Sequence, residues 1–148
     1  MQSKAYNYCI YLLSRQDYPE GKLRSKMREK GYDEQTRDEV IERLHEFGYI
    51  REEAYIRTRI KSLLNKGYSA YYITQKLSEE NLNVTINEIE DLYVELDFNL
   101  NSSIEKLIEK KLRSLTKETD KQKKREKIVR FLASKGHRID FSVIEKFL

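Results

Sequence analysis

Apolar residues recur along this chain at steps of three and four, the spacing that lines one face of an α-helix. In PEGKLRSKMREKGY, Leu23 and Met27 stand one turn apart ahead of Gly31. Ile73 and Leu77 do the same ahead of Asn81 in SAYYITQKLSEENL, and Ile128 and Leu132 ahead of Gly136 in KREKIVRFLASKGH. Each block is preceded by an apolar helix, around Ile10–Leu13, Ile56–Leu64 and Ile104–Leu115. Each is followed by a second apolar set: Val40, Ile41 and Leu44, then Ile86, Ile89 and Leu92, then Val143 and Ile144. The pattern returns after about 50–55 residues, so the chain reads as tandem units of three short helices. No segment alternates as a strand does. The expected fold is all-α: three three-helix repeats over 1–50, 51–99 and 100–148, forming an elongated, curved body. A single compact bundle is the alternative architecture.

The stops are the sharpest local signals. Gly31-Tyr32, Gly48-Tyr49, Gly67-Tyr68 and Gly136-His137 each close a helical stretch, and lysine precedes three of them. Glycine there accepts the left-handed conformation that ends a helix, and the ring that follows can fold back on the last apolar turn. The lysine faces the negative end of the helix dipole. Pro19 suits a first helical turn with Asp17 as its cap, and Asp33, Ser69, Thr85, Asn101, Asp120 and Asp140 are expected to cap later helices.

Composition narrows the class. Hydrophobic residues make up 39% and charged residues 36% of the 148, enough for a modest core and a heavily solvated surface. No apolar run approaches the roughly 20 residues that cross a bilayer, and no secretory leader pattern opens the chain. Cys9 is the only cysteine, so an internal disulfide and a thiol-rich metal cage are both excluded. The chain therefore reads as soluble and cytosolic, with a monomer as the default state.

Charge is segregated within the net +4. Residues 77–100 hold seven acidic and no basic side chains, whereas 101–148 hold fourteen basic and seven acidic. In the helix expected over 101–116, Lys106, Lys110, Arg113 and Lys117 run opposite the stripe of Ile104, Leu107, Ile108, Leu112 and Leu115. In the next helix Lys123, Lys127 and Arg130 face away from Ile128 and Leu132. Two basic stripes can neutralise phosphates or meet an acidic protein, or they can serve as solvated faces alone. The middle of the chain offers Arg57 and Lys61 one turn apart, and Tyr71 turned outward beside Gln75. Tyrosine near arginine makes good interface chemistry, and a tyrosine can stack on an unpaired base or pack on a neighbouring repeat. Arg24 and Arg28 repeat the argument on an earlier helix.

Catalysis finds little support. His45 and His137 are not spaced as metal ligands, no glycine-rich phosphate loop is present, and Cys9 lies in the apolar run CIYLL as a structural thiol would. No cofactor, metal or catalytic residue is expected.

Two segments also carry a family resemblance. FGYIREEAYIRTRIKSLLNKGYSAYYITQKLSEENL, residues 47–82, resembles the central signature of the RecX family, regulatory proteins of the RecA recombinase, and PEGKLRSKMREKGY resembles that family's first-repeat helix. Arg51 intervenes before Glu52 and Glu53, Ser69 stands where a second glycine is usual, and Glu80-Asn81 replaces a Lys-Gly pair. The resemblance implies a fold of three three-helix repeats and a non-enzymatic modulator with no membrane role. Its implied partners are RecA and the RecA filament on single-stranded DNA, where such proteins bind the groove and limit strand exchange, ATP hydrolysis and co-protease activity. Weak direct binding to DNA is the accompanying expectation. A helical nucleic-acid-binding protein acting without RecA, and a scaffold needing no nucleic acid, are the alternatives.

Overall fold

A computed structural model describes residues 2–148, and among them the chain forms nine helices and no strand. They are α1 (Gln2–Arg15), α2 (Glu20–Glu29), α3 (Glu34–Glu46), α4 (Glu52–Asn65), α5 (Ala70–Glu79), α6 (Ile86–Glu95), α7 (Leu100–Ser114), α8 (Lys121–Ser134) and α9 (Phe141–Glu145). This is the all-α series of three-helix groups that the apolar spacing predicts. No helix among the described residues is long and apolar enough to cross a membrane.

Four helices end in the same way. At the α2–α3 turn the Gly31 amide donates to the Arg28 carbonyl and the Tyr32 amide to the Met27 carbonyl. The pairs at Gly48-Tyr49, Gly67-Tyr68 and Gly136-His137 repeat this double bond, and the four glycines have φ of 71 to 90°. Together the two bonds satisfy carbonyls that the end of a helix otherwise leaves unpaired. Asn81 takes the left-handed conformation in place of a glycine, with φ 62°. Asp97, which carries no glycine-like signal, does so too, at φ 51°, and the Phe98 amide closes its turn on the Tyr93 carbonyl.

Asp33, Ser69, Thr85, Asp120 and Asp140 each accept a backbone N–H from the first turn of the helix they precede, as expected of caps. Two expectations are corrected. Pro19, not a residue before it, occupies the cap position of α2, and the Asp17 carboxylate instead takes the Arg51 guanidinium at 2.8 and 3.1 Å. The cap of α7 is Asn99, which accepts the Ser102 amide at 2.9 Å; Asn101 lies inside the helix, which runs 100–114 rather than 101–116.

The fold divides into two compact units. The first runs to Arg59 and includes Glu80–Leu82; the second holds Ile60–Glu79 and Asn83–Leu148. In the first, Ala5, Cys9, Leu23, Met27, Val40, Ile41 and Leu44 are buried together from α1, α2 and α3. In the second, Ile104, Leu107, Ile108, Ile128, Leu132 and Ile144 form the corresponding core of α7, α8 and α9. In α2, α3, α7, α8 and α9 these are the stripes the periodicity marks. In α1 the core side is Ala5 and Cys9, with Ile10, Leu12 and Leu13 only partly buried against it. Burial of each large aliphatic side chain contributes on the order of 2 kcal/mol.

Candidate functional site

The second unit joins two of its glycine turns by main-chain contacts. The Ser69 amide donates to the Lys135 carbonyl at 2.9 Å, and the buried His137 imidazole donates from Nε2 to the Gly67 carbonyl at 2.7 Å. Little space separates them: a Cβ on Gly136 would lie 2.2 Å from Ser69 Oγ and 3.0 Å from Tyr72 Cβ. Tyr68 and Tyr72 stack with centroids 4.3 Å apart, and the Lys135 ammonium sits 4.3 Å from the centre of the Tyr68 ring. Tyr72 is thus a packing residue, whereas Tyr71 beside it is 60% exposed.

Joining the turns brings Lys66 and Lys135, the residues before the two glycines, to the same groove as α7. An open groove of about 550 Å³ is lined by Lys66, Lys106, Lys110, Arg113 and Lys135, with Glu109 the one acidic side chain among its lining residues. A second pocket, of about 270 Å³, has Lys61 and Lys106 among its lining residues with Asn65, Asn99 and Ser103, and Asp97 as the one acidic side chain there. Lys106 is common to both, so cations from α4, α7 and the paired turns form one basic surface. Such an array of ammonium and guanidinium groups has the chemistry to accept the phosphates of an extended anion, which would trade small counterions for them.

The remaining residues singled out in the sequence lie elsewhere. Lys117, Lys123 and Arg130 are exposed. Lys127 is bound to the Glu118 carboxylate at 3.1 Å, and that hydrogen bond, with one from the Asp120 amide, holds the Glu118 carboxyl below the usual carboxylate range. In the first unit Arg24 is held by Glu20 and Asp38, while Arg28 is exposed. Arg57 is exposed on α4. Tyr71 lines neither of the two basic pockets.

Spacing alone places Lys66 and Lys135 only at the negative ends of helix dipoles. Their membership of the groove rests on contacts between turns about 70 residues apart, and the one available signal was that the same Lys-Gly-aromatic turn occurs twice in this unit.

Glu80, the charge that departs from the family pattern, has a structural use. Its carboxylate takes the Lys22 ammonium at 3.0 Å and the Arg59 guanidinium at 3.4 Å, while Lys22 also donates to the Tyr55 hydroxyl at 2.7 Å. Burial raises the Glu80 pKa, but the hydrogen bonds and charges of Lys22 and Arg59 outweigh it and hold the carboxyl below its ordinary range. His45 donates to Glu20 at 2.8 Å, the main reason that carboxyl too lies low. Burial pushes the Cys9 thiol up to about 11, so it remains protonated and inert at neutral pH. Among the described residues no group of three or more His, Cys, Asp or Glu side chains could hold a metal ion.

Comparison with known proteins agrees along the chain. Residues 5–44 match the first three-helix domain of RecX, and residues 102–148 match the third. The regulatory protein RecX of Haemophilus influenzae strain PittEE is 31% identical over 140 residues, covering 95% of this chain and 91% of that protein. That of Syntrophotalea carbinolica is 23% identical and covers 91% of this chain and 89% of its own. Among solved structures, RecX from Lactobacillus salivarius superposes with a TM-score of 0.70 at 22% identity over 98% of this chain and 95% of that one. A second crystal structure of regulatory protein RecX gives 0.73 at 22% identity over 97% of this chain and 70% of that one, a likeness of fold.

Proposed function

Because this chain belongs to the RecX family of regulatory proteins, with a general role in modulating RecA, we propose that it binds the RecA filament on single-stranded DNA and restrains it. In this reading it lowers strand exchange, ATP hydrolysis and co-protease activity, without chemistry of its own. The observation that carries the reading is the basic surface of the second unit. There Lys61, Lys66, Lys106, Lys110, Arg113 and Lys135 line adjoining pockets although they come from separate parts of the chain. A modulator that engages a nucleoprotein filament needs such a surface for the phosphates, and it needs a means of preferring filament to bare DNA. Exposed Tyr71 on α5 supplies further contact area of the kind that interfaces favour.

The same groove also serves a second reading, a protein that binds single-stranded nucleic acid without RecA. One experiment separates them. RecA is assembled on single-stranded DNA and its ATP hydrolysis followed while this protein is titrated in. Inhibition at less than one molecule per RecA is the expected outcome and points to end-capping or filament disruption. Inhibition only near equal amounts points to occupation of the groove. Unchanged hydrolysis together with binding to bare DNA assigns the protein to the second reading.

A further inference from the structure

The four equivalent glycine turns differ in two respects, at the residues on either side of the glycine. At the residue before glycine, three carry lysine (Lys30, Lys66 and Lys135), a side chain suited both to water and to the negative end of a helix. The turn after α3 carries Phe47 there, and its ring is 63% exposed. The residue after glycine differs as well: Tyr32 and Tyr68 are half-buried and His137 is buried, but Tyr49 is 46% exposed. Two aromatic rings are thus turned to solvent at the one turn where lysine is missing. They line an open pocket of about 370 Å³ with Ile10 and Leu13 of α1 and with Arg51.

We propose that this pocket is a protein-docking site that takes an apolar side chain from an acidic segment of the filament's protein component. The lining chooses between classes of partner. Ile10 and Leu13 add aliphatic lining beside the two rings, which suits an apolar protein side chain. Residues 1–50 carry nine basic and nine acidic side chains, so no extended positive field gathers the successive phosphates of a nucleic acid, whereas a single carboxylate needs only one arginine. The rim supplies the charge complementarity. The Arg51 side chain is 64% exposed and already holds one carboxylate, that of Asp17, through two N–H groups on a single oxygen, which leaves its other N–H groups for a second acid. An exposed aromatic pair around a cavity, with an arginine at its edge, is the composition of an interface hot spot. The inference rests on the proposed function: phosphates go to the second unit's groove, and the protein contact to this pocket in the first.

The test measures affinity for RecA assembled on labelled oligo(dT) and, separately, for the labelled oligo(dT) alone. Phe47→Gln and Tyr49→Ser shorten exposed rings, and Phe47→Lys gives this turn the residue of its counterparts, which guards against loss of fold. Filament affinity is expected to fall about tenfold or more in the double variant Phe47→Gln/Tyr49→Ser, as for other hot-spot aromatics, with oligo(dT) affinity unchanged. Arg51→Gln is expected to weaken filament binding less; no effect there overturns the acidic character of the segment. An equal loss on oligo(dT) overturns the assignment in favour of base stacking. Unaltered filament binding by every Phe47 and Tyr49 variant overturns it while leaving the proposed function in place. A wild-type chain that does not bind the filament rejects the proposed function and this inference with it.

Discussion

Removing three of the groove's cations gives a quantitative test of its use. Five positive side chains, Lys66, Lys106, Lys110, Arg113 and Lys135, line the larger groove. If each neutralises one phosphate of a single strand, log K falls with log salt with a slope of about −3.5, at about 0.7 per phosphate. Replacing Lys106, Lys110 and Arg113 with glutamine leaves two cations and a slope of about −1.4. From about 50 to 200 mM salt the wild-type protein then loses roughly a hundredfold in affinity, and the variant less than about tenfold. All three side chains are exposed and belong to no ion pair described above, so thermal unfolding should move by no more than about 2 °C. The assay is fluorescence anisotropy of a labelled oligonucleotide over a salt series, with the variant's unfolding curve as its control. A slope that stays within about 0.5 of the wild-type value, with the fold intact, refutes the groove as a phosphate site.

Three further outcomes follow from the geometry. Gly31→Ala should cost only the left-handed backbone penalty, about 1 kcal/mol, since a Cβ there meets nothing within 4 Å. Gly136→Ala also drives into Ser69 and Tyr72 and should cost about 3 kcal/mol by urea denaturation; equal costs would deny the close approach of the two turns. Glu80→Gln should lower stability at pH 7 by about 1 kcal/mol. The folded Glu80 pKa is depressed, so its stabilisation is full above the ordinary value of 4.5 and is lost as pH falls through the folded value; variant and wild type should therefore converge in acid. Finally, Cys9, buried and with its pKa at about 11, should resist a thiol reagent in the native protein and react at the rate of unfolding; prompt labelling would contradict its burial.

What could be read from the sequence follows the range of the forces involved. Helix faces and stops depend on residues within one or two turns, so the stripes of Leu23 and Met27 or Ile128 and Leu132, and the turns at Gly31 and Gly136, were legible. Cap register was harder at α7: the sequence points to Asn101, whereas the turn closed by Phe98 after Asp97 starts the helix two residues earlier, with Asn99 as its cap. Asp97 itself gave no signal, because few aspartates adopt its backbone angle. The basic stripe of α7 was visible as a property of one helix, but its extension to Lys66 and Lys135 depends on a carbonyl meeting an imidazole 70 positions along the chain. The exposure of Tyr49 was equally hidden. Its amide folds back on Leu44 as the motif demands, while its ring does not follow.

The joined turns have a consequence for how such a chain can change over generations. Two of their partners, Gly67 and Lys135, contribute carbonyl oxygens, and Ser69 contributes its amide, so much of the junction is made of backbone. Mutational drift among the surrounding side chains therefore leaves the origins of Lys66 and Lys135 at fixed separation, and the spacing of charge across the groove becomes heritable independently of the identity of the charged residues. Arginine can replace lysine, or a cation can be gained or lost, without re-registering the rest. Gly136 and His137 are where that freedom ends, since one has no room for a side chain and the other supplies a side-chain donor to the junction.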